Sequence, residues 1–347
     1  MPLPSIYPPL INSSNPWATT LEDIQTLFDC PHTGAVTTRT SLLAGFEHDD
    51  HIHQYTFFDA QSIAAKAPET SHASPQVAED HENATGSLNT LGYSPVLLET
   101  YLAMIARVAA DSKLPGTVKS TKPFIISITG GADAVLVCYR LIRSTQQTMS
   151  NPLCMEINLS CPNIPSKPPP AYSEASLTEY LSVLAEERAR EANDGGMKVA
   201  IGIKTPPYTY HDQFRSLISA LLASQKPRCP VDFITATNTL GSCLILDSTG
   251  SAPAINSASG AGIGGLAGTP LHPLALGNVR TISEMLDEHT ALHGIDVIGI
   301  GGVSDGAGFH RMNLWQWQTL SHLHSSLKIN VDEQHLWLVF LPSAKFA

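Results

Sequence analysis

A thiol, two carboxamides and a hydroxyl crowd the end of one short run, where Asn158, Ser160, Cys161 and Asn163 follow Cys154-Met155-Glu156-Ile157. Within it, apolar Met155, Ile157 and Leu159 alternate with polar Glu156, Asn158 and Ser160, the period of a strand. Pro162 stops ladder pairing directly after Cys161. A second reactive group ends another apolar run. Lys204 closes Lys198–Lys204 and is followed by Thr205-Pro206-Pro207-Tyr208, which neither a ladder nor a helix interior accommodates. A thiol can act as base or nucleophile once its proton is managed. An ammonium aimed into a cleft suits a developing anion. The plain alternatives are a buried, inert cysteine and a lysine whose stem is covered while its amine reaches solvent.

The residues that repeat around these two are carboxamides. Asn89-Thr90-Leu91-Gly92, followed by Tyr93, and Asn238-Thr239-Leu240-Gly241 are the same tetrapeptide at two places in the chain. With Asn158 and Asn163 they would offer a flat ligand paired donors and acceptors, because each carboxamide carries both. Two glycine-rich stretches complete the set: Gly260-Ala261-Gly262-Ile263-Gly264-Gly265 and Gly299-Ile300-Gly301-Gly302. Backbone N–H groups in such turns can hold a phosphate. A phosphorylated cofactor that takes a hydride inside a barrel points to FMN.

Positioning these groups requires strands ending at one rim. Apolar runs at 123–129, 154–160, 198–204, 231–237 and 295–300 read as strands, with 34–38 a weaker one. Segments 97–110, 174–193 and 276–292 have helical spacing. Strand–helix alternation at this interval predicts a parallel sheet and favours an α/β (β/α)8 TIM barrel over an open doubly wound sheet. Residues 61–86, rich in Ala, Ser, Glu and Pro, read as a surface insertion, and the His-rich run 48–53 as a solvated loop. Residues 1–312 form the expected barrel domain. Residues 313–347 hold three of the four tryptophans and no glycine, and read as a divergent tail that alters or truncates the last β/α unit.

The 347 residues carry a net charge of −11, which argues against nucleic acid as a partner. No run reaches the ~18 apolar residues of a membrane span. The N-terminus lacks the basic segment of a signal peptide, so a cytoplasmic location is expected. Six cysteines without a C-x-x-C pair signal no metal or iron–sulfur site.

In order, Glu-Ile-Asn-Leu-Ser-Cys-Pro-Asn (156–163), Lys-Thr-Pro-Pro-Tyr (204–208), Asn-Thr-Leu-Gly (238–241), Gly-Ile-Gly-Gly (262–265), Ala-Leu-Gly-Asn-Val-Arg (275–280) and Gly-Ile-Gly-Gly-Val (299–303) resemble the dihydroorotate dehydrogenases, over roughly Ile11 to Met312. A cysteine at 161 resembles class 1 of the family, and with neither a cysteine-rich partner motif nor an N-terminal membrane segment the chain is most similar to the cytosolic, fumarate-linked class 1A homodimers. The resemblance implies oxidation of (S)-dihydroorotate to orotate in pyrimidine (UMP) biosynthesis, with FMN as hydride acceptor and fumarate as final acceptor. It makes Cys161 the base at C5 and places Lys204 beside the flavin. Arg39, Asn89, Leu91, Gly92, Tyr93, Asn158, Asn163, Asn238 and Thr239 would hold the pyrimidine. Ser13, Ser14, Arg39, Asn158, Lys204, Gly264, Gly265, Gly301 and Gly302 would hold the flavin. Two residues depart from the family's pattern: Arg39 stands where it has lysine, and Asn15 where it has glycine. Because the family ends on an eighth strand with a phosphate loop, the divergent tail also implies an alternative, a non-catalytic barrel that binds a pyrimidine or a partner.

Overall fold

The computed structural model describes residues 2–70, 84–161, 163, 168–191, 196–226, 228–314 and 338–340. The strand-like runs all form strands at one barrel wall. β1 (Leu10–Asn12), α1 (Leu21–Asp29) and β2 (Val36–Thr37) open the fold. Thr20 starts α1 with a capping box in which its hydroxyl and the Asp23 carboxylate each take a backbone N–H. The chain then leaves the wall to form β3 (Gln54–Phe58), β4 (Glu69–Thr70) and β5 (Gly86–Asn89). It returns through α2 (Leu98–Asp111) and α3 (Gly116–Thr121) to β6 (Phe124–Ile128). Regular alternation follows: α4 (Ala132–Gln146), β7 (Leu153–Asn158), α5 (Glu174–Glu191), β8 (Ala200–Thr205), α6 (His211–Ala223) and β9 (Phe233–Ala236). A second excursion makes β10 (Leu240–Cys243) and β11 (Gly264–Gly268), then α7 (His272–Asp287), β12 (Asp296–Val303), α8 (Gly306–Leu314) and β13 (Leu338–Phe340).

The wall closes. β2, β6, β7, β8, β9 and β12 pair in parallel in that order. β1 meets the residue just before β2 in a parallel bridge, Ile11–Ala35. Between β12 and β1 lies β13, antiparallel to both. The fold is therefore a TIM-type α/β barrel whose eighth wall position is taken by a strand of reversed direction, drawn from the tail. The remainder of that tail, 315–337 and 341–347, lies outside the described residues, as do 71–83 of the expected insertion.

The two excursions join as a separate antiparallel sheet in the order β10-β11-β5-β3-β4. Its β5 carries Asn89, and Thr239 immediately precedes β10. That sheet was not foreseen from the sequence, because its strands are short, lack clean alternation and in three of five cases carry glycine.

Inside the barrel, Ile11, Ala35, Ile125, Cys154, Ala200, Phe233 and Ile298 make an apolar plug. A larger layer packs helices against the outside of the wall. Lys122, just before β6, is buried and donates to the carbonyls of Leu27, Phe28 and Cys30, tying the end of α1 to the barrel. Gly202 in β8 leaves room for the Phe233 ring, into which an added Cβ would project. Gly202→Ala is expected to destabilise the protein by about 1–3 kcal/mol through overpacking, read as a lower urea midpoint with unchanged slope.

Candidate functional site

Strand ends and excursion sheet enclose two adjoining cavities. The first is lined by Ser14, Trp17, Arg39, Thr40, Tyr55, Asn89, Leu91, Gly92, Tyr93, Asn158, Cys161, Asn163, Asn238 and Thr239, among others. The second is lined by Ser13, Ser14, Lys204, Thr237, Asn238, Thr239, Gly268, Leu271, Gly301 and Gly302, among others. Ser14, Asn238 and Thr239 belong to both. The two cavities therefore form one continuous site, with Cys161 on one side and Lys204 on the other.

Parallel register explains much of this. Asn158 at the end of β7 is paired with Lys204 in β8, so both reach the same rim. Asn158 also organises its neighbours. Its Nδ2 donates to Thr40 Oγ1 at 3.0 Å. Its Oδ1 accepts from the Ser160 amide and hydroxyl and from Asn238 Nδ2 at 3.2 Å. Asn163 Nδ2 donates to Asn89 Oδ1 at 3.0 Å and to the Leu91 carbonyl at 2.9 Å. The two copies of Asn-Thr-Leu-Gly thus meet at one mouth from different excursions.

Lys204 is 3% exposed. Its Nζ donates to Ser13 Oγ at 3.1 Å. Burial holds its pKa below the ordinary lysine value, opposed by attraction to Glu156 and Cys161. Cys161 is partly exposed, and burial pushes its thiol upward. Contacts with the Asn163 amide and Tyr93 hydroxyl, and the charges of Lys204 and Arg39, pull it back. Arg39 is buried, with Nη2 3.4 Å from the Gly92 carbonyl. Burial also lowers its pKa, against the pull of Tyr101 and Cys161. The two cations favour the thiolate against the burial that opposes it, and burial outweighs them.

Ser13, Ser14, Gly301 and Gly302 line the second cavity. Gly264 and Gly265 line neither cavity. They lie in β11 rather than in a turn before a helix, and Gly265 presents its carbonyl to Asn89 Nδ2 at 3.2 Å. Thr40, Ser127, Glu156, Thr237, Trp17 and Tyr55 were not singled out as site residues from the sequence. Ser127 and Glu156 did leave a signal there, as polar residues inside apolar strand runs. At the 48–53 loop, His48 Nε2 meets Asp50 Oδ1 at 2.8 Å. Among the described residues no three His, Cys, Asp or Glu side chains gather as a metal site.

Comparison with known proteins places this geometry. The family model described as dihydroorotate dehydrogenase matches residues 47–309. A dihydroorotate dehydrogenase (fumarate) of Trypanosoma cruzi is 28% identical over 223 residues, 64% of this chain and 61% of that protein. Dihydroorotate dehydrogenase A (fumarate) of Lactococcus lactis is 26% identical over 225 residues, again 64% of this chain and 61% of the relative. The alignments thus span under two thirds of these relatives' length. The fold is also that of a dihydroorotate dehydrogenase from Eimeria tenella solved with ferulenol, at a TM-score of 0.56 and 15% identity, covering 88% of this chain and 72% of that one. Because the matched segment holds both strand tips that carry Cys161 and Lys204, and most of the chain besides, this protein belongs to the dihydroorotate dehydrogenase family.

Proposed function

We propose that the chain oxidises (S)-dihydroorotate to orotate with FMN as the hydride acceptor and fumarate as the final acceptor, in pyrimidine biosynthesis. What carries the reading is the placement of Cys161 and Lys204 on adjoining cavities that share Ser14, Asn238 and Thr239.

The second cavity suits FMN in its chemistry. Lys204 has three N–H donors and a hydrogen bond to Ser13. Thr237 lines this cavity, and its Oγ1 is buried without a hydrogen-bond partner. Gly301 and Gly302 have positive φ, and a Cβ on either would strike Ala275 or the Gly268 carbonyl. Backbone at such a turn can approach a phosphate closely. Ser13, Ser14, Thr237, Lys204, Gly301 and Gly302 would hold the cofactor. FMN supplies a two-electron acceptor for the hydride leaving C6.

The chain's own groups then divide the work. Cys161 takes the proton from C5. Arg39 offers its guanidinium to the substrate carboxylate, and Asn89, Asn163, Asn238 and Thr239 orient the ring amides. Leu91, Gly92 and Tyr93 close the pocket beside the thiol. Lys204 offsets negative charge arriving on its side. The same reading makes the protein a cytoplasmic homodimer. No helix among the described residues is long and apolar enough to cross a membrane.

The full chain loaded with FMN should lose its visible flavin absorbance on anaerobic addition of dihydroorotate and regain it with fumarate. Dihydrouracil should bleach it far more slowly. Protein that stays colourless with added FMN would refute the reading and favour the non-catalytic alternative. Sedimentation tests the dimer.

A further inference from the structure

Beneath the cavities, in the barrel interior, sits a carboxylate with no part in the reaction as described. Glu156 is 2% exposed, on β7 one inward step below Asn158. Ser127 Oγ donates to its Oε1 at 2.9 Å. The Ser127 and Thr40 hydroxyls lie 2.9 Å apart, as do those of Thr40 and Ser14.

Proton counting fixes the direction of this chain. A carboxylate only accepts, so the single Ser127 hydroxyl proton points to Glu156. Ser127 Oγ must then accept from Thr40, whose proton is thereby committed. Thr40 Oγ1 accepts in turn from Asn158 Nδ2 and from Ser14. Ser14 lines both cavities, and what it has left to show them is lone pairs. Glu156 pairs in register with Gly202, two residues before Lys204 on the neighbouring strand, close enough for its charge to favour the ammonium.

We propose that Glu156 is a positioning residue of this site: through Lys204 and through the one-way hydroxyl chain Ser14, Thr40, Ser127, it sets the charge and the donor sense of the cavity wall. The wall meets its ligands with the field of an ammonium partly offset from below, and with an acceptor at Ser14. A ligand atom facing Ser14 is therefore an N–H or O–H donor. The inference rests on the flavin reading proposed above.

The test is the reduction potential of bound FMN in the full chain. Glu156→Gln keeps the shape and removes the charge, leaving Lys204 unopposed. Reduced, anionic flavin should be favoured at least tenfold, an upward shift of about 30 mV for a two-electron couple. Glu156→Asp keeps the charge and should hold the parent's potential within a threefold change in equilibrium. A folded, flavin-loaded Glu156→Gln protein with the parent's potential overturns the proposal. A parent chain that takes up no FMN overturns the functional reading first, and this one with it. If Glu156→Gln does not fold, Ser127→Ala cuts the chain while leaving both charges. It should preserve the potential and weaken FMN binding at least fivefold in fluorescence titration. Unchanged FMN affinity overturns the chain.

Discussion

Cys161→Ala should bind FMN as the parent does and lose dihydroorotate oxidation by about 10²- to 10⁴-fold, the usual worth of a positioned general base. The separation is expected because Cys161 lines the first cavity, whereas Lys204, Gly301 and Gly302 line the second. Stopped-flow bleaching by dihydroorotate reads the loss, and flavin fluorescence quenching reads the retained binding. Turnover within a few-fold of the parent would remove Cys161 from the base role. The pH dependence has a definite sign. Burial raises the thiol above its ordinary value, against the pulls of Asn163, Tyr93, Lys204 and Arg39. The base form is the thiolate, so its population grows as pH rises toward that elevated value. The parent's rate of flavin reduction should therefore climb on the alkaline side of neutrality rather than level off at pH 7. In Cys161→Ala that climb should vanish.

What could be foreseen divides along a physical line. The wall strands were legible because each is buried on both faces and reads as an apolar run, as Phe124–Ile128 and Ala200–Thr205 do. Their ends brought Asn158, Cys161 and Lys204 to one rim, since a parallel barrel leaves its strand ends no other place to go. The excursion sheet was not legible. Gly260–Gly265 reads as a phosphate turn on glycine content, yet its last two residues open β11 and pair along β5 with register Gly265–Asn89. Glycine there serves close approach: a Cβ at Gly264 would strike the Asn89 backbone, and one at Gly265 the Thr239 side chain. Local composition cannot distinguish a turn that opens toward a ligand from a strand pressed against another strand. The eighth wall position was hidden for a different reason. A three-residue strand such as Leu338–Phe340 has too little pattern to announce its partner or its direction. Ser127 and Glu156 show the opposite case. Each was visible as a polar residue in an apolar run, but only the register between β6 and β7, which sets Ser127 opposite Glu156, turns two oddities into one hydrogen bond.

Lys204→Met should reduce FMN affinity about 10- to 100-fold, the worth of roughly 1.5–3 kcal/mol for a hydrogen bond to a charged group. It should also lower stability, because Glu156 keeps its buried charge and loses the ammonium it attracts. A buried carboxylate left without the cation that offsets it costs about 1–3 kcal/mol, its Ser127 hydrogen bond remaining. The two losses have different origins and can be pulled apart. In the double variant Lys204→Met/Glu156→Gln no uncompensated charge remains in the barrel, so most of the stability should return. Affinity for FMN should not, since the second cavity still lacks its cation. Urea denaturation of the flavin-free chains measures the first quantity, and fluorescence titration with FMN the second. Recovery of both in the double variant would mean that Lys204 serves only to neutralise Glu156. Recovery of neither would mean that its stem, not its charge, supports the barrel. Only recovery of stability alone is what an ammonium aimed at a ligand, with a carboxylate set beneath it, requires.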